Sequence, residues 1–175
     1  YSEKWPEYAK QWDSMIIKPT KKKLFDDCAK WALKFKERYV TIQELTAYDG
    51  LGRIGEGIPW WMIAAIHRRE SDTDRQGNPR WDTYLGNGQP LNKKTTIVPK
   101  GRGPFKSFED GCLDAFKVDG LSSVLDWRLE KVFYYWEILN GTGYHNKGLP
   151  APYVWAGTNI QKPGKYVADG KFDRN

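Results

Sequence analysis

The segment Ile58-Pro-Trp-Trp-Met-Ile-Ala-Ala-Ile-His-Arg-Arg-Glu-Ser71 holds the side chains best suited to chemistry. Read as a helix at about 100° per residue, it places Pro59, Met62, Ile63, Ile66 and Glu70 on one face and leaves Arg68 and Arg69 off it. A carboxyl carried toward a core or cleft at a helix C-terminus resists ionisation. Desolvation penalises the charged form, and the partial negative charge of the helix end acts in the same direction. A carboxyl that keeps its proton near neutral pH can serve as a general acid. The plainer alternative is a solvated Glu in a last helical turn, or one paired with Arg53 or Arg68. His67 precedes Glu70 by one helical turn, where it either orients the carboxyl or is an ordinary surface histidine. Ser71 then opens a glycine-rich polar lobe, the kind of segment in which binding clefts are found.

The elements that must position these groups are mostly helical. Residues 4–17 and 20–39 read as helices separated at Pro19, with Thr20 as N-cap of the second. In that second helix Leu24, Cys28, Trp31, Phe35 and Tyr39 form one stripe. A short helix is expected at 41–47, followed by a glycine-rich turn region and the helix from Ile58 to about Arg69, with Pro59 in its first turn. From Ser71 to Phe105 glycines and prolines erase helical periodicity, and only Thr95-Thr96-Ile97-Val98 reads as a strand. Helices return at about 107–118, capped by Ser107, and at about 123–139, stopped by Asn140-Gly141. The tail from Thr142, rich in Gly, Pro and aromatics, is expected to wrap the surface. The aromatic pairs Trp60-Trp61 and Phe133-Tyr134-Tyr135-Trp136 sit at core spacing and read as packing, with Tyr134 or Tyr135 available to a cleft floor.

The 175 residues fit one domain over 1–175, with N-terminal helices in 1–57 and the motif-bearing part in 58–175. With 9 Trp, 10 Tyr and 7 Phe the chain is too aromatic for intrinsic disorder, and its longest apolar run is far too short for a membrane span. No signal peptide is visible at its start. Cys28 and Cys112, with His67 and His145, make neither a disulfide framework nor a zinc site; two buried thiols are expected, with one bridge between them as the alternative. No metal and no cofactor is expected. The net charge of +6 admits nucleic acid, anionic membrane or anionic wall polymer as partners, but it is dispersed apart from Lys21-Lys22-Lys23, which reads as a solvated helix start. No nucleic-acid-binding motif is present.

Three blocks occur in order: His67-Arg-Arg-Glu70-Ser71; Thr83-Tyr-Leu-Gly-Asn87-Gly-Gln-Pro-Leu91 with Val98-Pro-Lys-Gly-Arg102; and Asn140-Gly-Thr-Gly-Tyr144, Pro152-Tyr-Val-Trp155 and Gly164-Lys-Tyr-Val-Ala-Asp-Gly170. Together they resemble a bacterial and bacteriophage endolysin family of the lysozyme-like superfamily, related to soluble lytic transglycosylases. The resemblance covers about Ile58 to Asp173 and leaves the first 57 residues unmatched. It departs from the family at Tyr84-Leu85-Gly86-Asn87, where histidines are expected, and at Arg75–Arg80, which looks like an insertion.

The resemblance implies a mainly helical lysozyme-like fold, with a small irregular or β lobe forming a cleft. It also implies cleavage of the β-1,4 bond between N-acetylmuramic acid and N-acetylglucosamine in peptidoglycan. Glu70 would protonate the glycosidic oxygen, and hydrolysis would need a second carboxylate, Asp82 first and Asp74 or Asp72 after it. Without one, the substrate's acetamido group would take that role, giving a lytic transglycosylase. A non-catalytic wall-binding homologue is the further alternative. Trp81, Tyr84, Tyr144, Tyr153 and Trp155 would stack on sugar rings, and Asn87, Gln89 and Asn140 would bond hydroxyl and acetamido groups, beside His67. Arg102 and Lys100 would meet muramyl or peptide carboxylates. The implied partner is the glycan strand, met by a monomer without membrane insertion, acting at the cell wall after release from a host cytoplasm.

Overall fold

The computed structural model describes residues 5–48, 54–139, 141–168 and 170–174. These hold seven α-helices and one two-stranded sheet. The chain divides into two compact units: residues 27–127 form the first, and residues 1–26 with 128–175 the second.

In the first unit, α2 (Lys22–Lys34) and α3 (Lys36–Thr46) replace the helices expected at 20–39 and 41–47. The break falls at Phe35, whose φ of −110° and ψ of 14° leave the helical region. Its ring meets Trp31 at 5.6 Å and Trp81 at 6.2 Å between centroids. The expected stripe therefore enters the core only at its end: Tyr39 is buried, Trp31 and Phe35 are half-buried, and Leu24 and Cys28 are exposed. Cys28 and Cys112 are both free thiols, and only Cys112 is buried, so the expectation of two buried thiols fails at Cys28.

α4 (Trp60–Glu70) starts one residue after Pro59, which caps it from outside. Gln43 of α3 secures that start. Its Oε1 accepts from the Trp60 N–H at 2.9 Å, and its Nε2 donates to the Glu56 carbonyl at 3.0 Å. The approach needs Gly57, whose φ is +71° and where a Cβ would stand 2.1 Å from the Gln43 carbonyl oxygen. α4 buries Met62, Ile63, Ala64, Ile66 and His67. α5 (Phe108–Val118) begins as expected, the Ser107 hydroxyl accepting from the Asp110 N–H at 3.0 Å.

The lobe between α4 and α5 carries isolated bridges, Thr73 to Pro79 and Thr83 to Pro90, and no strand at 95–98. The reason lies in where its amides go. The Thr96 and Ile97 N–H groups donate to the Gln89 side chain, the Thr95 N–H donates to the Arg102 carbonyl, and the Gly101 N–H donates to the Thr95 carbonyl. The segment closes on itself instead of pairing with a neighbour.

In the second unit, α1 (Trp5–Asp13), α6 (Leu129–Leu139) and α7 (Pro152–Trp155) enclose Tyr8, Phe133 and Trp155. The Tyr8 hydroxyl donates to the Glu137 carboxylate, which satisfies both buried polar groups. Pro19–Lys21 is a 3₁₀ turn capped from Lys18, so Thr20 is not an N-cap. α6 starts later than expected, because Gly120 is left-handed at φ +72° and Leu121–Ser123 turns as 3₁₀. Its expected stop at Asn140 lies outside the described residues. The tail adds an antiparallel hairpin that sequence periodicity did not predict, β1 (Lys165–Ala168) with β2 (Lys171–Asp173).

His67 ties the first unit together. It is fully buried. The Tyr39 hydroxyl lies 2.9 Å from Nδ1, and Nε2 lies 3.2 Å from the Arg80 carbonyl oxygen. The carbonyl requires a proton on Nε2, so Nδ1 accepts from Tyr39 and the ring is neutral. Burial, reinforced by the Arg38 cation and partly opposed by the Arg80 carbonyl, lowers its pKa from 6.5 to about 4. Because the unfolded chain binds this proton more readily, stability is undiminished above about pH 6.5 and falls as the pH drops toward 4, by about 3 kcal/mol in total. Urea unfolding of wild type against His67→Gln should show that slope in the wild type alone, with the variant less stable at pH 7.

Candidate active site

α4 passes from the core to the surface at its last turn: Ile66 and His67 are buried, while Glu70 is exposed. Glu70 is therefore not shielded by burial, contrary to the expectation drawn from its helix face. His67 does not orient it or face a substrate, since its ring is buried and both nitrogens bond elsewhere. Arg68 pairs with Asp72 at 3.6 Å, and Arg53 lies outside the described residues. Ser71, at the C-cap, is buried, and its Oγ has no hydrogen-bond partner among the described residues.

A tight turn of the lobe lies against this helix end. The Gly88 N–H donates to the Tyr84 carbonyl and the Tyr84 N–H to the Gln89 carbonyl, both at 2.7 Å. At Gly88, φ is +71° and a Cβ would come within 3.1 Å of the Glu70 carbonyl oxygen, so a side chain there would push the turn off α4. Tyr84 anchors the turn from beneath. It is fully buried, stacks on Phe105 at 5.1 Å, and donates its hydroxyl to Asp114 Oδ2 at 3.0 Å. Arg102 bonds the same carboxylate through Nε at 2.9 Å and again through its terminal nitrogen. That pairing holds the Asp114 carboxyl below the usual range, with the Tyr84 hydroxyl bond adding to it. The Tyr84 ring is buried, and the Arg102 side chain is 38% exposed beside Asp114.

One carboxyl that feels the charge of Glu70 is not singled out by the sequence pattern. Asp119 follows α5 at its C-cap. Although the residue as a whole is exposed, its carboxyl is crowded by protein. Its pKa is raised first by this desolvation and then by the negative charge of Glu70. In the sequence Asp119-Gly120 reads only as a helix stop. The carboxylates expected in this role are engaged otherwise. Asp82 is 78% exposed on its side chain and lies 3.8 Å from Arg80 Nε. Asp74 accepts from the Asn78 and Gln76 backbone amides at 2.8 and 2.9 Å and from the Asn78 side chain at 3.2 Å; these bonds, that of Asn78 foremost, lower its pKa and make it a turn former. Asp72 stands at φ +55° with an 87% exposed side chain.

Most residues expected to bind sugar make packing or hydrogen-bond contacts within the protein. Trp81 is half-buried, covered by the Arg38 guanidinium at 4.3 Å, and packed against Phe108, His67 and Tyr39. Glu109 holds Arg38 in place at 2.7 Å. Asn87 donates to the Ile97 and Val98 carbonyls, and the Gln89 amide clamps Thr96 and Ile97. In the second unit, Trp155 is a core residue and Tyr144 is buried against Tyr166 and Phe172. Tyr153 is half-buried, with Trp136 at 6.4 Å.

Among the described residues no group of three or more His, Cys, Asp or Glu is placed to hold a metal ion, and no helix is long and apolar enough to cross a membrane. Comparisons with protein-family models, with curated proteins and with solved structures found no match to this chain. If Glu70 and Asp119 share one electrostatic site, Glu70→Gln removes a charge that holds the Asp119 proton on. Carbon-13 carboxyl NMR titration should then show the Asp119 midpoint moving to lower pH, and an unmoved midpoint would separate the two groups.

Proposed function

We propose that this chain is a peptidoglycan glycosidase of the muramidase type, with Glu70 as proton donor to the glycosidic oxygen. The observation that carries the reading is the placement of Glu70 itself. It ends α4 at the surface, beside the Gly88 turn, and its charge bears on the Asp119 carboxyl. An acid that must touch a polymeric substrate needs access, and an exposed helix end provides it. The negative charge of Glu70 adds to desolvation in holding the proton on the Asp119 carboxyl. The sequence blocks that resemble the endolysin family supply the substrate class.

In this reading Asp119 replaces Asp82 as the second carboxylate. Once Glu70 has given its proton to the leaving oxygen, positive charge develops on the sugar ring, and the remaining carboxylate either stabilises it or activates water. The Gly88 turn, held by Tyr84 from below and by Gln89 to the 95–97 segment, forms the rigid edge against which a glycan would lie. The net charge of +6 favours approach to anionic wall polymers.

Lysis of purified cell walls tests the proposal. Glu70→Gln should slow it by about 10²- to 10⁴-fold, the range expected for loss of a general acid, with sedimentation still showing the variant bound to the wall. Undiminished lysis by the variant would remove Glu70 from the mechanism.

A further inference from the structure

The second unit contains a cavity of about 420 Å³ lined by Lys147, Leu149, Pro163, Phe172 and Arg174. Its size lies in the range of about 300–1,000 Å³ typical of pockets for small organic ligands. Its lining combines two features. Lys147 and Arg174 bring two cations, and among the described residues no acidic side chain lines the wall. Leu149, Pro163 and the Phe172 ring supply apolar walls with no side-chain donor of their own.

Lys147, Pro163 and Arg174 are exposed, while the half-buried Phe172 ring is fixed in place by its neighbours. Phe172 lies on β2, and Arg174 follows the end of that strand by one residue, both lining the pocket. Phe172 packs edge-on against Tyr166 at 5.1 Å and Tyr144 at 5.9 Å, and the Tyr144 hydroxyl accepts from the Tyr166 N–H at 3.2 Å. Gly164, at φ +110°, leaves the room this ring requires, since a Cβ there would stand 2.5 Å from Phe172 Cζ. Lys147 Nζ rests 4.9 Å from the Phe172 centroid, which holds the ammonium at the pocket wall.

We propose that this pocket binds the carboxylate end of a short peptide, with Lys147 and Arg174 pairing with the carboxylate and Leu149, Pro163 and Phe172 enclosing a small apolar side chain beside it. A free inorganic anion would gain from the two cations but nothing from the apolar walls, whereas a peptide terminus uses both. The inference rests on the reading of the wall as substrate, where peptide stems ending in a carboxylate accompany every glycan strand. It assigns the second unit a role in engaging the peptide, separate from the acid at position 70.

The test uses the whole protein and three probes: diacetyl-Lys-D-Ala-D-Ala, its C-terminal amide, and inorganic phosphate. Binding is read by calorimetry and by NMR shifts of the residues that line the pocket. The acid should bind with shifts at Lys147, Phe172 and Arg174, the amide at least about 10-fold more weakly, and phosphate no better than the amide. Lys147→Gln and Arg174→Gln should each weaken the acid about 10-fold. Equal binding of acid and amide, phosphate binding as tight as the acid, or no binding at millimolar concentration would overturn the proposal; because these comparisons use wild type, they stand even if a variant fails to fold. Wall lysis is measured in parallel. Lysis that depends on Glu70 without peptide binding would refute this inference alone, and peptide binding without lysis would refute the glycosidase reading alone.

Discussion

His67 carries two hydrogen bonds and close aromatic neighbours, and each ties a different segment to α4. Tyr39 brings α3, the Arg80 carbonyl brings the irregular lobe, and Phe108, 4.4 Å away between ring centroids, brings the first residue of α5. The lobe has no strand of its own in which to satisfy its backbone, so its attachment to the helices depends on such side-chain bonds. Each bond adds little net stability, about 0.5–1.5 kcal/mol, but losing the imidazole would leave the buried Tyr39 hydroxyl without its partner, at about 1–3 kcal/mol, while the Arg80 carbonyl would keep the Thr83 hydroxyl at 2.8 Å. A neutral ring is required, because a charged one would be buried beside Arg38 and would have no acceptor role for Tyr39. Glu70 follows one turn later on the same helix, so the position of the acid relative to the lobe is inherited from this junction.

The carboxyl chemistry of the first unit follows a division of labour. Asp114 is held ionised by Arg102 and Tyr84, and Glu109, its carboxyl likewise lowered by Arg38, is held beside Trp81; both are structural anions with cationic partners. Asp119 is of the other kind, raised by desolvation with a second carboxylate as its electrostatic neighbour. Structural ion pairs lower carboxyl pKa values, whereas sites that handle protons bring like charges together. Asp119 is the carboxyl on which a like charge, that of Glu70, bears.

Much of the helical framework could be read from the sequence, because apolar spacing and caps are local. α4 and α5 fall within two residues of expectation, with Ser107 capping as its position implies. The break at Phe35 was hidden because the stripe continues through it without interruption; only packing on Trp31 and Trp81 turns the residue. The hairpin of β1 and β2 is too short for period-two alternation to register, although Asp169-Gly170 is a turn dipeptide that marks hairpins. Among site residues, Glu70 was found from its helix position, but its exposure was not, since periodicity gives direction and not depth. The aromatic and amide residues of the lobe were assigned to sugar because their types suit it. Types alone do not reveal that Trp81 lies under Arg38 or that Gln89 spends its amide on Thr96 and Ile97. Asp119 is not legible in the sequence because Glu70, whose charge bears on it, lies far away along the chain.

The central claim is that an accessible acid at the end of α4 breaks a glycosidic bond in the wall. Mass spectrometry of purified peptidoglycan after digestion by the wild-type chain tests it most directly. The account predicts disaccharide-peptide fragments that end in a reducing muramic acid. Anhydro-muramic ends would contradict hydrolysis and the need for a second carboxylate, and intact glycan strands would contradict the enzyme itself.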